Sequence, residues 1–276
     1  MSEAAIQAAD VAEKYYDSND ADEFYSRVWG GEDIHIGLYR SPDEPIAEAS
    51  RRTVAEMASE LGLNADSTVI DIGAGYGGAA RYLAKTFGCR VTCVNVSQAQ
   101  NARNRRLNEQ AGLADKIEVA HGTFERLPVP SSTYDVAWSQ DAILHCGDRR
   151  RALQEIQRVL RPSGKLIFTD PMQSDTCQPS ALAAVYARLH LSSLSSPGFY
   201  RETLAELGFR NFKARDLTEH LVMHYSRVHD ELESRSAELT RHASSQYLAS
   251  MKQGLEHWVK AGRDGQLRWG IFYAER

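Results

Sequence analysis

The chain has 276 residues, 42% of them hydrophobic and 25% charged, with a net charge of −5 and a pI near 6.0. This is the composition of a soluble globular protein. It excludes the clustered basic excess of a nucleic-acid binder, and no apolar run approaches the roughly 20 residues of a membrane helix. The polar, acidic N-terminus lacks a signal pattern, and Cys89, Cys93, Cys146 and Cys177 show no paired spacing. Neither a metal site nor a disulfide framework is therefore indicated. The expected setting is the cytoplasm, as a monomer or homodimer, with no nucleic-acid or membrane partner.

In chain order, residues 1–66 read as mainly helical. "PIAEASRRTVAEMASELG" is strongly periodic, and Pro45 suits a first helical turn. From Val69 to Asp170, short β-branched runs alternate with amphipathic stretches. "STVIDI" predicts a strand, "GAARYLAKTFG" a helix stopped at Gly88, and "RVTCVNV" a second strand. A helix capped by Ser97 then runs to about Ala111. "KIEVAHG" and "YDVAWSQ" are further strands, "RRALQEIQRVL" a helix and "GKLIFTD" a fifth strand. Such alternation predicts a parallel sheet with helices on both faces. Beyond it come a helix at "PSALAAVYARLHL", another at 198–207, a strand near 209–215, a long helical stretch through about 219–261 and a closing strand, "LRWGIFYAE". The expected organisation is an N-terminal helical lid over 1–66 and an α/β domain over 67–276, with helical insertions at about 176–195 and 219–261.

The most informative stretch is "VIDIGAGYGG" at 69–78. Gly73, Gly75 and Gly77 let the backbone turn tightly and approach a ligand without a Cβ in the way. In such a sheet the ligand lies beyond the carboxyl ends of the strands. Asp71 precedes the glycines, and a carboxylate there suits an amine or hydroxyl better than a pyrophosphate, which it would repel.

D-x-G-x-G-x-G in this context resembles the first motif of the class I S-adenosylmethionine-dependent methyltransferases. The resemblance implies a Rossmann-like, mostly parallel sheet with its last strand antiparallel, and S-adenosylmethionine as cofactor. It places Asn95 where the family usually has an acidic residue for the ribose hydroxyls; an amide still engages a hydroxyl, without charge assistance. It also implies adenine-side roles for Thr123 and Phe124 in "HGTFERLP", and contact between Gln140 and the methionine portion.

The flanks narrow this further. "YYDSNDADEFYSRVWGGEDIHIGLY" (15–39), "WSQDAILHCGDRRRALQE" (138–155), "FTDPMQSD" (168–175), "SSPGFYRE" (195–202) and "HLVMHYSRV" (220–228) together resemble the sarcosine/dimethylglycine N-methyltransferases that make glycine betaine. The implied acceptor is dimethylglycine, with sarcosine as well. A small amino acid offers a carboxylate, which calls for Arg or backbone donors, and a nitrogen that becomes cationic, which calls for aromatic faces. Tyr25, Trp29, Tyr39, Pro171, Met172, Tyr200, Arg201 and Tyr225 are the candidate acceptor residues. His145 and His35 are the candidate proton acceptors. Each has a plainer reading: Tyr25 and Trp29 at i, i+4 also fit helix packing, Pro171 fits a strand end, and Arg149–Arg151 fit a solvated helix face. The alternatives are another methyl acceptor, such as phosphoethanolamine, an alkaloid amine or a lipid chain, an NAD-dependent oxidoreductase, or a binding protein without catalysis. The oxidoreductase would want an acidic residue where Asn95 stands.

Overall fold

The computed structural model describes residues 2–29 and 31–276; Met1 and Gly30, both within the expected lid, lie outside the described residues. Three helices lead the chain: α1 (Glu3–Tyr16), α2 (Asn19–Val28) and α3 (Ile46–Ser59). The alternating region follows as β1 (Thr68–Ile72), α4 (Gly78–Phe87), β2 (Arg90–Asn95), α5 (Gln98–Gln110), β3 (Ile117–His121), β4 (Tyr134–Gln140), α6 (Arg149–Val159) and β5 (Leu160–Thr169). The remainder comprises β6 (Met172–Gln173), α7 (Ala183–Arg188), α8 (Pro197–Glu206), β7 (Arg210–Asp216), α9 (Thr218–Ser234), α10 (Ser236–Leu239), α11 (Ser245–Arg263), β8 (Leu267–Arg268) and β9 (Gly270–Glu275).

The main sheet has seven strands in the order β3-β2-β1-β4-β5-β9-β7. β1 pairs in parallel with β2 and with β4, and β9 runs antiparallel between β5 and β7. The order reverses at β1, whose carboxyl end delivers the glycine loop. The pleat sends alternate residues to two cores. Val69, Val91, Trp138 and Ile167 face one core, and Ile70, Val94, Ala137 and Phe168 the other. Asp71 shares the parity of Val69, on the side to which the N-terminal segment adds Phe24, Val28, Trp29 and Ile36.

Local signals explain most boundaries. Ser97 caps α5 by accepting from the Gln100 N–H at 3.0 Å, and Gly88 closes α4 in the left-handed region. Pro45 caps α3 just before its first turn instead of lying within it. Two expected helices are divided. The stretch 179–191 forms a 3₁₀ turn at Pro179–Leu182 and then the short α7, which ends before His190 turns to φ +53. The stretch 219–261 breaks at Arg235 and again before Ser244, whose side chain caps α11. Among the described residues, no helix is long and apolar enough to cross a membrane.

Candidate active site

Gly73, Gly75 and Gly77 all adopt positive φ, and a Cβ on Gly77 would overlap the Asn104 amide. The loop forms one wall of a cavity of about 650 Å³, its open mouth counted in. Gly73, Gly75, Asn95, Thr123, Phe124 and Gln140 line it, as the sequence led us to expect. α1 contributes Ala9, Ala12 and Tyr16, and the loop after β4 adds Asp141 and Ala142. Phe124 lies so close to Gly73 that a Cβ there would stand 3.0 Å from its ring. Asp71 is buried beneath the loop; burial raises its carboxyl to about 7, Asp33 adding to the rise and His35 opposing it.

The chemistry of the lining fits S-adenosylmethionine. Gln140 accepts from the Trp138 indole through Oε1 at 3.0 Å, and its buried Nε2 has no partner, leaving a donor for a ligand carboxylate or carbonyl. Asn95 donates one amide hydrogen to Gln100 Oε1 at 2.9 Å, which leaves its Oδ1 and its second N–H for a ribose hydroxyl. The flat Phe124 ring and the bare glycine backbone suit a nucleoside.

The N-terminal segment is tied down around this cavity by carboxylates. Asp17 accepts from Ser97 Oγ at 2.5 Å and from the Ala99 N–H at 3.3 Å, and Asp22 from Tyr76 at 2.6 Å. Asp141, itself at φ +49, accepts from the Ile36 N–H at 2.6 Å and from the Trp269 indole at 2.7 Å. One side chain thus joins the end of β4, the N-terminal segment and the chain beside β9. Sequence reading passed over Asp141 because nothing in "SQDAILH" marks a positive φ.

The two histidines differ. His145 lines the cavity, and its Nε2 lies 3.0 Å from the Tyr16 hydroxyl. Burial, with Arg149 and Arg188 nearby, pushes its pKa down to about 4, so the ring is neutral at physiological pH. His35 is not among the cavity-lining residues. Burial disfavours its charge, but Asp33 at 3.7 Å and Asp141 outweigh this and raise its pKa. His35 is thus set among buried carboxylates and apart from the cavity lining.

The acceptor candidates also separate. Tyr25, Trp29 and Tyr225 come together, with ring centroids 5.1 Å apart for Tyr25–Trp29 and 5.8 Å for Trp29–Tyr225. Tyr39 reaches the same cluster, its hydroxyl donating to His224 Nδ1 at 2.9 Å. The Gly37 N–H also donates to that nitrogen, at 3.2 Å, which assigns the ring proton of His224 to Nε2. Tyr200 instead sits in the second core against Phe168 and Phe272, donating to Asp170 at 2.7 Å. Met172 packs in that core, Pro171 is buried at the strand end, and Arg201 is exposed on α8. None of the eight acceptor candidates is among the residues that line the cavity itself.

The residue that sequence reading missed is Arg188. It is buried at the end of α7, with its guanidinium 5.0 Å from the Tyr225 ring, 5.2 Å from Trp258 and 5.9 Å from Trp29. Arg150, Arg151 and Arg227 all have carboxylates, on Glu206, Glu155 and Glu231. Arg149 is held by Ser193 and the Leu144 carbonyl. Among the described residues no carboxylate pairs with Arg188, whose Nη1 rests 3.4 Å from Met251 Sδ. Arg188 Nε, Trp29 Nε1 and His224 Nε2 are all buried donors without an acceptor. In one cluster, this is a positive charge and spare N–H groups awaiting an anion.

Comparison with known proteins agrees with this geometry. Residues 70–168 match the model of a methyltransferase domain family. A sarcosine/dimethylglycine N-methyltransferase of Halorhodospira halochloris is 50% identical, over 97% of this chain and 96% of that protein. A glycine/sarcosine/dimethylglycine N-methyltransferase of Actinopolyspora halophila is 52% identical over 97% of this chain, which spans 47% of that longer protein. The crystal structure of a Galdieria sulphuraria protein assigned to the sarcosine dimethylglycine methyltransferases superposes with a TM-score of 0.88 at 44% identity, covering 93% of this chain and 98% of that one. Haemonchus contortus phosphoethanolamine N-methyltransferase 2, in complex with S-adenosylmethionine, has a TM-score of 0.84 at 17% identity over 98% of this chain and 60% of its own, a likeness of fold alone. Identity of this depth, sustained from end to end, leaves no place for the oxidoreductase alternative: the chain belongs to the sarcosine/dimethylglycine N-methyltransferases, a family of S-adenosylmethionine-dependent enzymes.

Proposed function

We propose that this enzyme methylates the nitrogen of dimethylglycine, and of sarcosine, the acceptors named for its full-length relatives. The observation that carries this reading is Arg188, a buried guanidinium with no carboxylate of its own among the described residues. An acceptor carboxylate supplies the missing anion, and the planar fork holds it in one orientation. The faces of Trp29, Tyr225 and Trp258 already surround this cation, so a second positive group is repelled from them. The amino end of the acceptor accordingly points away from Arg188, toward Tyr15, Tyr16 and Tyr25 and the wall of the cofactor cavity.

The glycine loop, Asn95, Phe124 and Gln140 would hold S-adenosylmethionine, which would supply the methyl group when bound. What remains for the protein is alignment, exclusion of water and an unprotonated amine. His145 reports what that environment does to a base: burial and nearby guanidinium groups drive its proton off down to about pH 4. The same field favours the neutral amine over the ammonium. The neutral His145 ring hydrogen-bonds the Tyr16 hydroxyl at 3.0 Å and fixes it at the cavity wall. A free small molecule, handled in the cytoplasm by a monomer or homodimer, is the setting this reading expects. The test is mass detection of products from glycine, sarcosine, dimethylglycine and phosphoethanolamine, each with labelled S-adenosylmethionine. Label in the sarcosine and dimethylglycine products supports the reading; label only from phosphoethanolamine overturns it.

A further inference from the structure

A second cavity, of about 950 Å³ with its open mouth counted in, is lined by a different set of α1 residues from the first. Lys14 and Tyr15 of α1, Arg188 and His190 at the end of α7, and Tyr247 and Ser250 of α11 line it. Arg188 opens to this second cavity and is absent from the lining of the first. The two cavities share a wall of tyrosines. Tyr16 lines the cofactor cavity and Tyr15 the second one, their ring centroids 5.0 Å apart. The hydroxyl of Tyr15 reaches Tyr25 at 3.2 Å and Tyr247 at 3.4 Å. These contacts are made by side chains of α1, α2 and α11, so at this point the wall between the two spaces is built of side chains that can change rotamer.

The charges at the second mouth favour an anion. Lys14 is exposed at its rim, His190 lies beside it and Arg188 inside it. The acid in the lining, Asp20, is engaged in capping α11, accepting from the Ser244 N–H at 2.9 Å and from Ser244 Oγ at 2.5 Å. A cavity whose inner group is a buried guanidinium that no carboxylate of the described residues pairs, and whose rim adds a lysine, draws a small carboxylate inward.

We propose that the acceptor reaches the active site through this second cavity, separately from S-adenosylmethionine, with Tyr15 as the partition between them. The proposal rests on the reading that Arg188 takes the acceptor's carboxylate. It follows that acceptor binds to enzyme already holding the nucleoside product, since neither occupies the other's path.

Two exposed positions on facing helices, Ala187 and Ser250, allow the mouth to be narrowed without touching the core. Ala187→Trp and Ser250→Trp are each expected to lower kcat/KM for dimethylglycine by at least about tenfold, while the Kd for S-adenosylhomocysteine stays within about twofold of wild type. Ser192→Trp, at the exposed rim of a third cavity beside Leu191, is the control and leaves both unchanged. Lys14→Glu is expected to lower acceptor kcat/KM several-fold at low salt, with the difference vanishing at about 0.5 M salt through screening. Wild-type acceptor kcat/KM in both tryptophan variants overturns the route, as does parallel loss of S-adenosylhomocysteine binding or a Lys14→Glu variant unchanged at low salt. Failure of the wild-type enzyme to methylate any carboxylate-bearing amine is a different result, and overturns the function itself.

Discussion

Replacing Arg188 by Met keeps most of the apolar stem and removes the charge and the fork. In the folded protein this guanidinium is buried without a carboxylate partner among the described residues, against Tyr225, Trp258 and Trp29 at 5.0–5.9 Å. Its removal therefore relieves an uncompensated buried charge, and the variant is expected to be as stable as wild type or more so. With acceptor bound the situation reverses. An acceptor carboxylate brought into the same cluster loses its charge-assisted pair, a deficit of about 3–5 kcal/mol, or roughly 10²–10⁴ in kcat/KM. Arg188→Lys restores the charge as a point without the fork, so its kcat/KM is expected between the two. The assay is initial velocity against dimethylglycine at saturating S-adenosylmethionine, with melting temperature and the Kd for S-adenosylhomocysteine measured alongside. A wild-type acceptor KM in a folded Arg188→Met would refute the reasoning. So would a large loss of stability, which would show that the guanidinium had been holding the fold together.

Three further outcomes follow from the same geometry. Gly254 of α11 faces the stem of Arg188, and a Cβ there would stand 2.6 Å from both Cγ and Cδ; Gly254→Ala is expected to raise the acceptor KM by displacing the side chain, with S-adenosylhomocysteine binding in calorimetry unchanged. Asp71→Ala is expected to weaken that cofactor binding at least about tenfold while the fold survives, and unchanged affinity would remove Asp71 from the site. His145 is buried with its pKa depressed to about 4, so the unfolded chain takes up its proton first as the pH falls from about 6.5; stability is lost over that interval, by about 3 kcal/mol at its lower end. His145→Gln is expected to flatten that part of the urea midpoint against pH, and an acid limb identical to wild type would show that the ring does not titrate as described.

The residues that the sequence made legible are those whose role is local. Three glycines after a β-branched run, a serine before a helix and a glycine after one declare their conformations through their own backbone preferences, and the structure has each of them where the pattern puts it. Asn95, Phe124 and Gln140 line the cavity because strand ends in such a sheet converge on one edge. Arg188 was illegible for the opposite reason. In "AAVYARLHL" it reads as a solvated charge on an apolar helix, and only the packing of α7 against α11 buries it and withholds a partner. Tyr200 misled in the reverse sense. Next to Arg201 it looks like a binding pair, yet α8 turns it into the core behind β5, where Asp170 takes its hydroxyl. The surroundings of His35 were legible only in part: Asp33 is two residues away in the sequence, whereas Asp71 and Asp141 come from distant segments.

The central claim is that Arg188 receives the carboxylate of the methyl acceptor. A crystal structure of the complex with S-adenosylhomocysteine and dimethylglycine, a pair that cannot react, tests it most directly. The account predicts the acceptor carboxylate within about 2.7–3.2 Å of the Arg188 guanidinium, its nitrogen turned toward Tyr16 and Tyr25. A carboxylate bound instead at Arg149 or Arg227, with Arg188 still unpaired, would contradict it.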